Sequence, residues 1–163
     1  MTSVAVFDID GVLADVAHRL HYLESHPKRW GSFFAAAGKD GLLSEGASLA
    51  RSLATEAEIR YLTGRPERLR QVTQSWLDRF DLPAGPLTMR PNRDRRPART
   101  FKRDRLAEWV GDGAEIAIVV DDDPAVVAMI EQMGLPVLSA QWQHTPVDEQ
   151  QLLWDVQERL GRS

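Results

Sequence analysis

Four apolar residues, Val4, Ala5, Val6 and Phe7, run directly into Asp8, Ile9, Asp10 and Gly11, and this junction constrains the fold more than any other part of the chain. An unbroken apolar run of that length marks a strand buried on both faces, which belongs in a parallel sheet covered by helices. Side chains alternate along a strand, so Asp8 and Asp10 are expected to point the same way while Ile9 returns to the core. Gly11 permits the sharp exit that leaves both carboxylates at the strand's carboxyl end, where open α/β sheets bind ligands. Two acids there are costly unless a cation, a proton or a substrate compensates them.

The rest of the chain supplies the sheet. Short segments rich in Val, Ile or Leu at 4–8, 58–62, 86–90, 115–120 and 135–139 read as five strands. Helical spacing separates them. From Pro66 the apolar positions are Leu69, Val72, Trp76, Leu77 and Phe80, with proline at the start. Leu106, Trp109 and Val110 mark a helix closed by Gly111, and Val126, Val127, Ile130 and Met133 mark another between Pro124 and Gly134. Leu153, Val156 and Leu160 suggest a terminal helix. The expected fold is therefore α/β, a Rossmann-like parallel sheet with helices on both faces.

Residues 16–43 break this rhythm with Pro27, three of the four histidines and the cluster Trp30, Phe33 and Phe34. They read as a small, largely helical insertion over the end of the first strand, within a single domain spanning 1–163. The aromatic cluster is expected to form the insertion's own core, base stacking being the alternative. His18, His21 and His26 are expected to be solvated or satisfied locally, because carboxylates already account for a metal.

With no cysteine, the chain has no disulfide, thiol nucleophile or cysteine-ligated zinc. No apolar run approaches the roughly 20 residues of a membrane span, and no signal-peptide pattern opens the chain, so a cytoplasmic protein is expected. Between 90 and 105 eight basic residues stand against two acidic ones, a net +6 in a chain whose total is −4. Such a run is ordinarily a solvated loop; the sharper reading is a positive field for phosphates, including those of a nucleic acid.

Further polar groups stand at strand ends or helix starts facing the first pair of acids. The strand from Ile59 to Leu62 runs into Thr63, Gly64, Arg65 and Pro66, and a hydroxyl followed by glycine at a helix N-terminus suits an anion. Arg65 adds a permanently charged fork. Lys102 begins the helix at 101–111, and the strand from Ile116 ends in Asp121, Asp122 and Asp123, one of which is expected to cap the helix entered by Pro124. Oxygen ligands with concentrated negative charge suit magnesium, and the set suits phosphoryl transfer by a carboxylate nucleophile and a carboxyl acid. A calcium loop is excluded, since glycine is fourth rather than sixth and Arg19 occupies the twelfth position. A receiver domain is excluded by the order of its acids, threonine and lysine.

The ordered set Asp8, Asp10, Thr63, Lys102, Asp121 and Asp122 resembles the four motifs of the haloacid dehalogenase superfamily over roughly residues 4 to 140. The resemblance implies that Asp8 is a nucleophile forming an aspartyl-phosphate and Asp10 the general acid and then base. It implies that Thr63 and Lys102 hold the phosphoryl group, and that Asp8, Asp121, Asp122 and the carbonyl of Asp10 hold Mg2+. Within the superfamily the chain is most similar to the 3′-phosphatase domain of phage and bacterial polynucleotide kinase-phosphatases. Arg19 nine residues after Asp10, the Thr63, Gly64, Arg65 motif, Met89 and Arg90 before a basic loop, and the run from Asp121 to Gly134 and Trp142 carry this likeness.

By that resemblance Arg19, Gly64, Arg65 and Arg90 meet the substrate phosphate or nucleic acid. The expected activity is removal of a 3′-phosphate from polynucleotide ends, a nucleotidase or other small-molecule phosphatase being the alternative, and a non-catalytic binding module a more distant one. No Gly-x-x-x-x-Gly-Lys-Ser/Thr loop is present, so a kinase or ligase would be a separate partner. Some relatives carry an aspartate shortly before the motif lysine; this chain has Ala98 and Arg99 there.

Overall fold

A computed structural model describes residues 3–143 and 147–160, with side chains in the latter stretch at 150–155 and 158. In chain order the elements are β1 (Ser3–Phe7), β2 (Ala14–Asp15), α1 (Trp30–Ala35), β3 (Gly41–Leu42), α2 (Ser44–Leu53), β4 (Glu58–Pro66) and α3 (Arg70–Arg79). There follow β5 (Leu87–Arg90), α4 (Ala98–Gly111), β6 (Glu115–Asp121), α5 (Pro124–Gln132), β7 (Val137–Ser139) and α6 (Val147–Leu160). The five long-range strands form one parallel sheet in the order β5-β4-β1-β6-β7. This is the Rossmann-like α/β arrangement, with β1 at its centre.

Alternation along β1 feeds two cores. Ala5 and Phe7 join Trp76 and Leu77 of α3 and Ala47 and Ala50 of α2 on one face. Val4 and Val6 join Phe101 and Leu106 of α4 and Val126 and Ile130 of α5 on the other. All four β1 residues are wholly inaccessible to solvent, as a strand buried on both faces requires. Among the described residues, no helix is long and apolar enough to cross a membrane.

Three differences from the sequence expectations matter for the site. First, β4 does not end at Leu62 but continues through Pro66. Pro66 is extended (φ −69°, ψ 151°) and still neighbours Arg90 of β5 after an irregularity in the register. A residue preceding proline disfavours the helical region, so Arg65 prolongs the strand instead of opening a helix. Thr63, Gly64 and Arg65 therefore lie on a strand end, and α3 starts only at Arg70 after a 3-10 turn.

Second, α2 has no strong apolar signal because its buried face is Gly46, Ala47 and Ala50. Small residues are required there: a Cβ on Gly46 would lie 1.9 Å from the carbonyl oxygen of Val12. Third, the segment after β1 is tied at its base by the antiparallel pair β2 and β3, with Ala14 opposite Leu42 and Asp15 opposite Gly41. Between them lie a 3-10 stretch (Ala17–Leu23), α1 and a further 3-10 turn (Ala37–Lys39). Phe33 and Phe34 are buried, and Trp30 stacks on Phe34 with ring centres 5.8 Å apart, so the aromatic cluster packs within this segment. The helix expected near the C-terminus is α6; Leu153 packs into the first core, while the side chains of Val156 and Leu160 lie outside the described residues.

Candidate active site

β1 ends at Phe7, and its last hydrogen bond to β6 is donated by the amide of Asp8 to the carbonyl of Val120 (3.0 Å). That bond fixes Asp8 beside the end of β6, where Asp121 and Asp122 emerge. Gly11 takes φ +80°, and a Cβ there would lie 2.2 Å from Asp122 Oδ2, so only glycine permits the close approach of the two acidic loops. Trp142 Nε1 donates to the carbonyl of Val12 (2.9 Å) and pins the same turn.

One side of the site is acidic. Asp8, Asp121 and Asp122 each offer a carboxylate oxygen, all within 4.8 Å of one another, and all three residues are buried. Lys102, on α4, reaches them from the opposite core, 2.7 Å from Asp121 Oδ2 and 3.2 Å from Asp8 Oδ1. Burial, then the neighbouring Asp121, pushes the Asp8 carboxyl well above the ordinary range, with Lys102 only partly offsetting it. The same two causes push Asp122 up to about 7. Three buried carboxylates facing one ammonium leave negative charge uncompensated, and an all-oxygen donor set of this kind fits a hard divalent cation. Asp123 stands apart from this cluster: its Oδ1 accepts from the amide of Ala125 (2.9 Å) and caps α5, as expected for one of the three acids.

The other side is built around Asp10. Its Oδ1 accepts from Arg65 Nη2 (2.6 Å), Arg65 Nε (3.0 Å) and Arg19 Nη2 (3.2 Å), whereas its Oδ2 is buried without a hydrogen-bond partner. Burial alone would raise the Asp10 carboxyl, but the two guanidinium groups outweigh it and hold it below the usual carboxylate range. Asp10 therefore stays ionised while Asp8, two residues away, is driven toward its neutral form. Both are buried, so the difference arises from their neighbours: Asp121 and Asp122 beside Asp8, and two guanidinium groups on Asp10.

Sequence reasoning did not find Asp40, the residue that completes this half. Its side chain is fully buried and accepts from Arg19 Nε (2.8 Å), Arg19 Nη2 (2.9 Å) and Arg65 Nη2 (2.8 Å). His18 Nε2 lies 2.7 Å from Asp40 Oδ1, which satisfies that histidine locally, and Trp76 Nε1 holds the Asp40 carbonyl (2.8 Å). The lone acid before Gly41 resembles a turn residue. The signal for it was indirect: two arginines assigned to one buried site need more than one carboxylate.

Thr63 is buried on the β4 end, its hydroxyl oxygen accepting from the amide of Arg65 (3.1 Å). Trp154 of α6 donates to Asp122 Oδ2 (2.8 Å) and is a second contact that the sequence did not reveal. Half of the basic run is neutralised in place, and Arg90, Arg93 and Arg95 form no ion pair among the described residues. Arg96 pairs with Asp94 and Asp104, Arg99 with Glu158, Arg103 with Asp104 and Arg105 with Glu108, while Lys102 turns into the site and Arg90 into the end of β5.

The family model for the polynucleotide kinase PNKP phosphatase domain matches residues 2–144. The chain belongs to this family. No curated protein matches it. Among solved structures, a chain of the Pnkp1/Rnl/Hen1 RNA repair complex is similar with TM-score 0.75 and 20% identity, over 88% of this chain and 44% of that one. The chain thus spans less than half the length of that relative. A haloacid dehalogenase-like hydrolase, SP0104 from Streptococcus pneumoniae, is similar at TM-score 0.64 and 14% identity, over 97% and 91% of the two chains. The enzyme BT-2542 of the same superfamily from Bacteroides thetaiotaomicron, solved with magnesium and inorganic phosphate, is similar at TM-score 0.55 and 10% identity, over 91% and 98%. The fold is that of the haloacid dehalogenase superfamily, and the family is one of phosphatase domains.

A divalent cation held at the acidic cluster would have a measurable consequence. Because the Asp122 carboxyl is raised to about 7, the metal-free fold favours its protonated form, and that contribution to stability is lost as pH climbs from the ordinary carboxylate range through 7. Magnesium requires the ionised form. Its binding is expected to strengthen by about tenfold per pH unit below that pKa, and its increment in melting temperature to grow between pH 5.5 and 8. Thermal denaturation with and without magnesium checks this; an increment independent of pH would remove Asp122 from the metal site.

Proposed function

We propose that the chain is a magnesium-dependent phosphomonoesterase that works through an aspartyl-phosphate on Asp8 and removes 3′-phosphate from polynucleotide ends. The observation that carries this reading is the division of the site. Asp8 lies against Lys102 and the metal-type acids, while Asp10, two residues on, lies against two arginines. Magnesium held by Asp8, Asp121, Asp122 and the carbonyl of Asp10 would neutralise charge on the transferring phosphoryl group.

Asp8 is left ionised, its proton lost to water, once a cation offsets Asp121 and Asp122. An oxygen of the Asp8 carboxylate then attacks phosphorus, the bond from phosphorus to the 3′ oxygen breaks, and Asp10 gives that oxygen its proton. Asp10 Oδ2, the atom without a partner, is the one available for this transfer. A phosphate dianion that draws Arg19 and Arg65 toward itself removes the neighbours that keep Asp10 ionised, and so supplies the acid when substrate arrives. Asp10 then takes a proton from water as the water oxygen attacks the aspartyl-phosphate. The bond between phosphorus and Asp8 breaks, and inorganic phosphate leaves with the carboxylate restored. Thr63 and Lys102 steady the phosphoryl oxygens.

The family model supports the phosphatase chemistry, and the polynucleotide end is the substrate that this family suggests. Likeness to a chain of an RNA repair complex supports a separate kinase or ligase as partner. Phosphate release in magnesium from a 3′-phosphorylated oligonucleotide and from a panel of mononucleotides tests the reading. Turnover of the oligonucleotide at least as efficient as that of any mononucleotide is expected. Preference for mononucleotides by more than about tenfold, roughly 1.4 kcal/mol, would favour the nucleotidase alternative, and no release from either class would end the catalytic reading.

A further inference from the structure

A second basic pocket opens at the end of β4, where Gly64 forms part of its wall. Its walls are Phe34, Gly64, Arg68, Arg90, Asn92 and Arg95, and it offers about 390 Å³ with its open mouth included. Arg90 is 2% exposed; its Nε donates to the carbonyl of Gly64 (3.1 Å) and its Nη1 to the carbonyl of Arg96 (2.6 Å). Its Nη2 is buried and has no hydrogen-bond partner. A guanidinium nitrogen left unsatisfied in a buried setting costs free energy until an acceptor arrives.

The charges around it favour an anion. Arg68 and Arg95 are exposed and, among the described residues, form no ion pair, nor does Arg90. Of the two acids whose charge reaches Arg90, Glu158 is paired with Arg99, and Asp94, which lines the pocket, is engaged by the amide of Arg96 (3.0 Å), Arg96 Nε (3.1 Å) and Arg96 Nη2 (2.9 Å). The pocket also holds its shape: the amide of Arg68 donates to Asn92 Oδ1 (2.9 Å), which ties the turn after β4 to the loop after β5.

A base is a poorer occupant than a phosphate. Phe34, the one aromatic wall, is 5% exposed, with Trp30 stacked on it and the Arg68 guanidinium 4.8 Å from its ring centre. Among the described residues that line the pocket, no open aromatic face remains for stacking. The pocket also adjoins the site through the backbone. Gly64 stands between Thr63 and Arg65, so an anion at Arg90 lies one residue along the chain from the groups around Asp10.

We propose that this pocket is a second anion subsite, which takes the internucleotide phosphodiester next to the terminal phosphate. The inference rests on the polynucleotide-end reading and adds to it how the enzyme tells a chain end from a mononucleotide. Arg90 supplies the fixed donor, while Arg68 and Arg95 close on the diester from the mouth.

The test compares thymidine 3′-phosphate with the 3′-phosphorylated dinucleotide, and with the same dinucleotide carrying a neutral methylphosphonate linkage. For the wild-type chain kcat/KM is expected to rise roughly tenfold from the mononucleotide to the dinucleotide, the value of one charge-assisted contact. The methylphosphonate is expected to fall back to the mononucleotide value. In the double variant Arg68→Ala/Arg95→Ala, both exposed positions, the rise is expected to shrink to under about twofold with the mononucleotide rate unchanged.

A rise that survives in the variant or in the methylphosphonate overturns the subsite, as does a wild-type chain that hydrolyses both substrates with no rise. If the wild-type chain releases phosphate from another ester but from neither of these, the polynucleotide-end reading has failed, and the subsite with it.

Discussion

Replacing Asp8 by asparagine is expected to remove phosphatase activity by at least about a thousandfold, and at the same time to make the metal-free protein more stable. The loss follows from chemistry: an amide oxygen forms no aspartyl-phosphate under these conditions, and among the described residues no other carboxylate sits against both Lys102 and the acidic pair. The gain follows from electrostatics. Burial and the Asp121 carboxylate raise the pKa of Asp8, so ionising it in the folded chain is unfavourable. The wild-type carboxyl contributes most below the pKa it has when unfolded, and that contribution disappears as pH rises through its folded value. The stability advantage of Asp8→Asn is therefore expected to be small at acid pH and to grow toward pH 8. Asp10→Asn provides the contrast. It should also be inactive, but it strips Arg65 and Arg19 of a charged partner and is expected to lower the melting temperature. Melting curves from pH 5 to 8 for both variants, alongside activity, separate the two roles. Equal destabilisation by the two substitutions would show that Asp8 and Asp10 do not occupy different electrostatic settings.

That contrast could be read only in part from the chain. The sheet was legible because its strands are short runs of β-branched and aliphatic residues with helical spacing between them, and Val4 to Phe7 carried the strongest such signal. Asp8, Asp121 and Asp122 could be placed for a related reason: each stands where a strand ends, so local pattern sets its place. Lys102 was expected to begin a helix at 101–111, but α4 starts at Ala98, after Pro97, and Lys102 lies one turn inside it. Asp10 was legible as a partner of Asp8 but not as the centre of an arginine cluster. Its setting depends on β4 running on to Pro66 and on the β2–β3 clamp, neither of which has a local apolar pattern. Asp40 was hidden for the same reason. It lies 25 residues from Arg65 and 21 from Arg19, and nothing in its immediate sequence distinguishes it from a turn acid. The basic run could be read only as a total, since composition shows charge but not the acids on α4 and α6 that pair with Arg96, Arg99, Arg103 and Arg105.

Asp40→Ala is expected to cost on the order of 3–5 kcal/mol of stability, because it leaves two buried guanidinium groups sharing one oxygen of Asp10. For a chain of this size that corresponds to a drop in melting temperature on the order of 10 °C. Its effect on catalysis separates positioning from binding. Arg19 and Arg65 are held between Asp40 and Asp10, so losing Asp40 lets both move fully onto Asp10 and holds that carboxyl ionised more strongly. The proton for the leaving oxygen then becomes harder to supply. Hydrolysis of an alkyl ester such as a nucleoside 3′-phosphate is expected to lose roughly ten- to a hundredfold in kcat, the size of a general-acid contribution. An aryl phosphate such as p-nitrophenyl phosphate, whose leaving group departs without a proton, should lose far less. Assays at a temperature where circular dichroism shows the variant folded keep the two effects apart. An equal loss for both esters would show that Asp40 supports the fold alone, whereas a loss confined to the alkyl ester would show that it positions the arginines that tune Asp10.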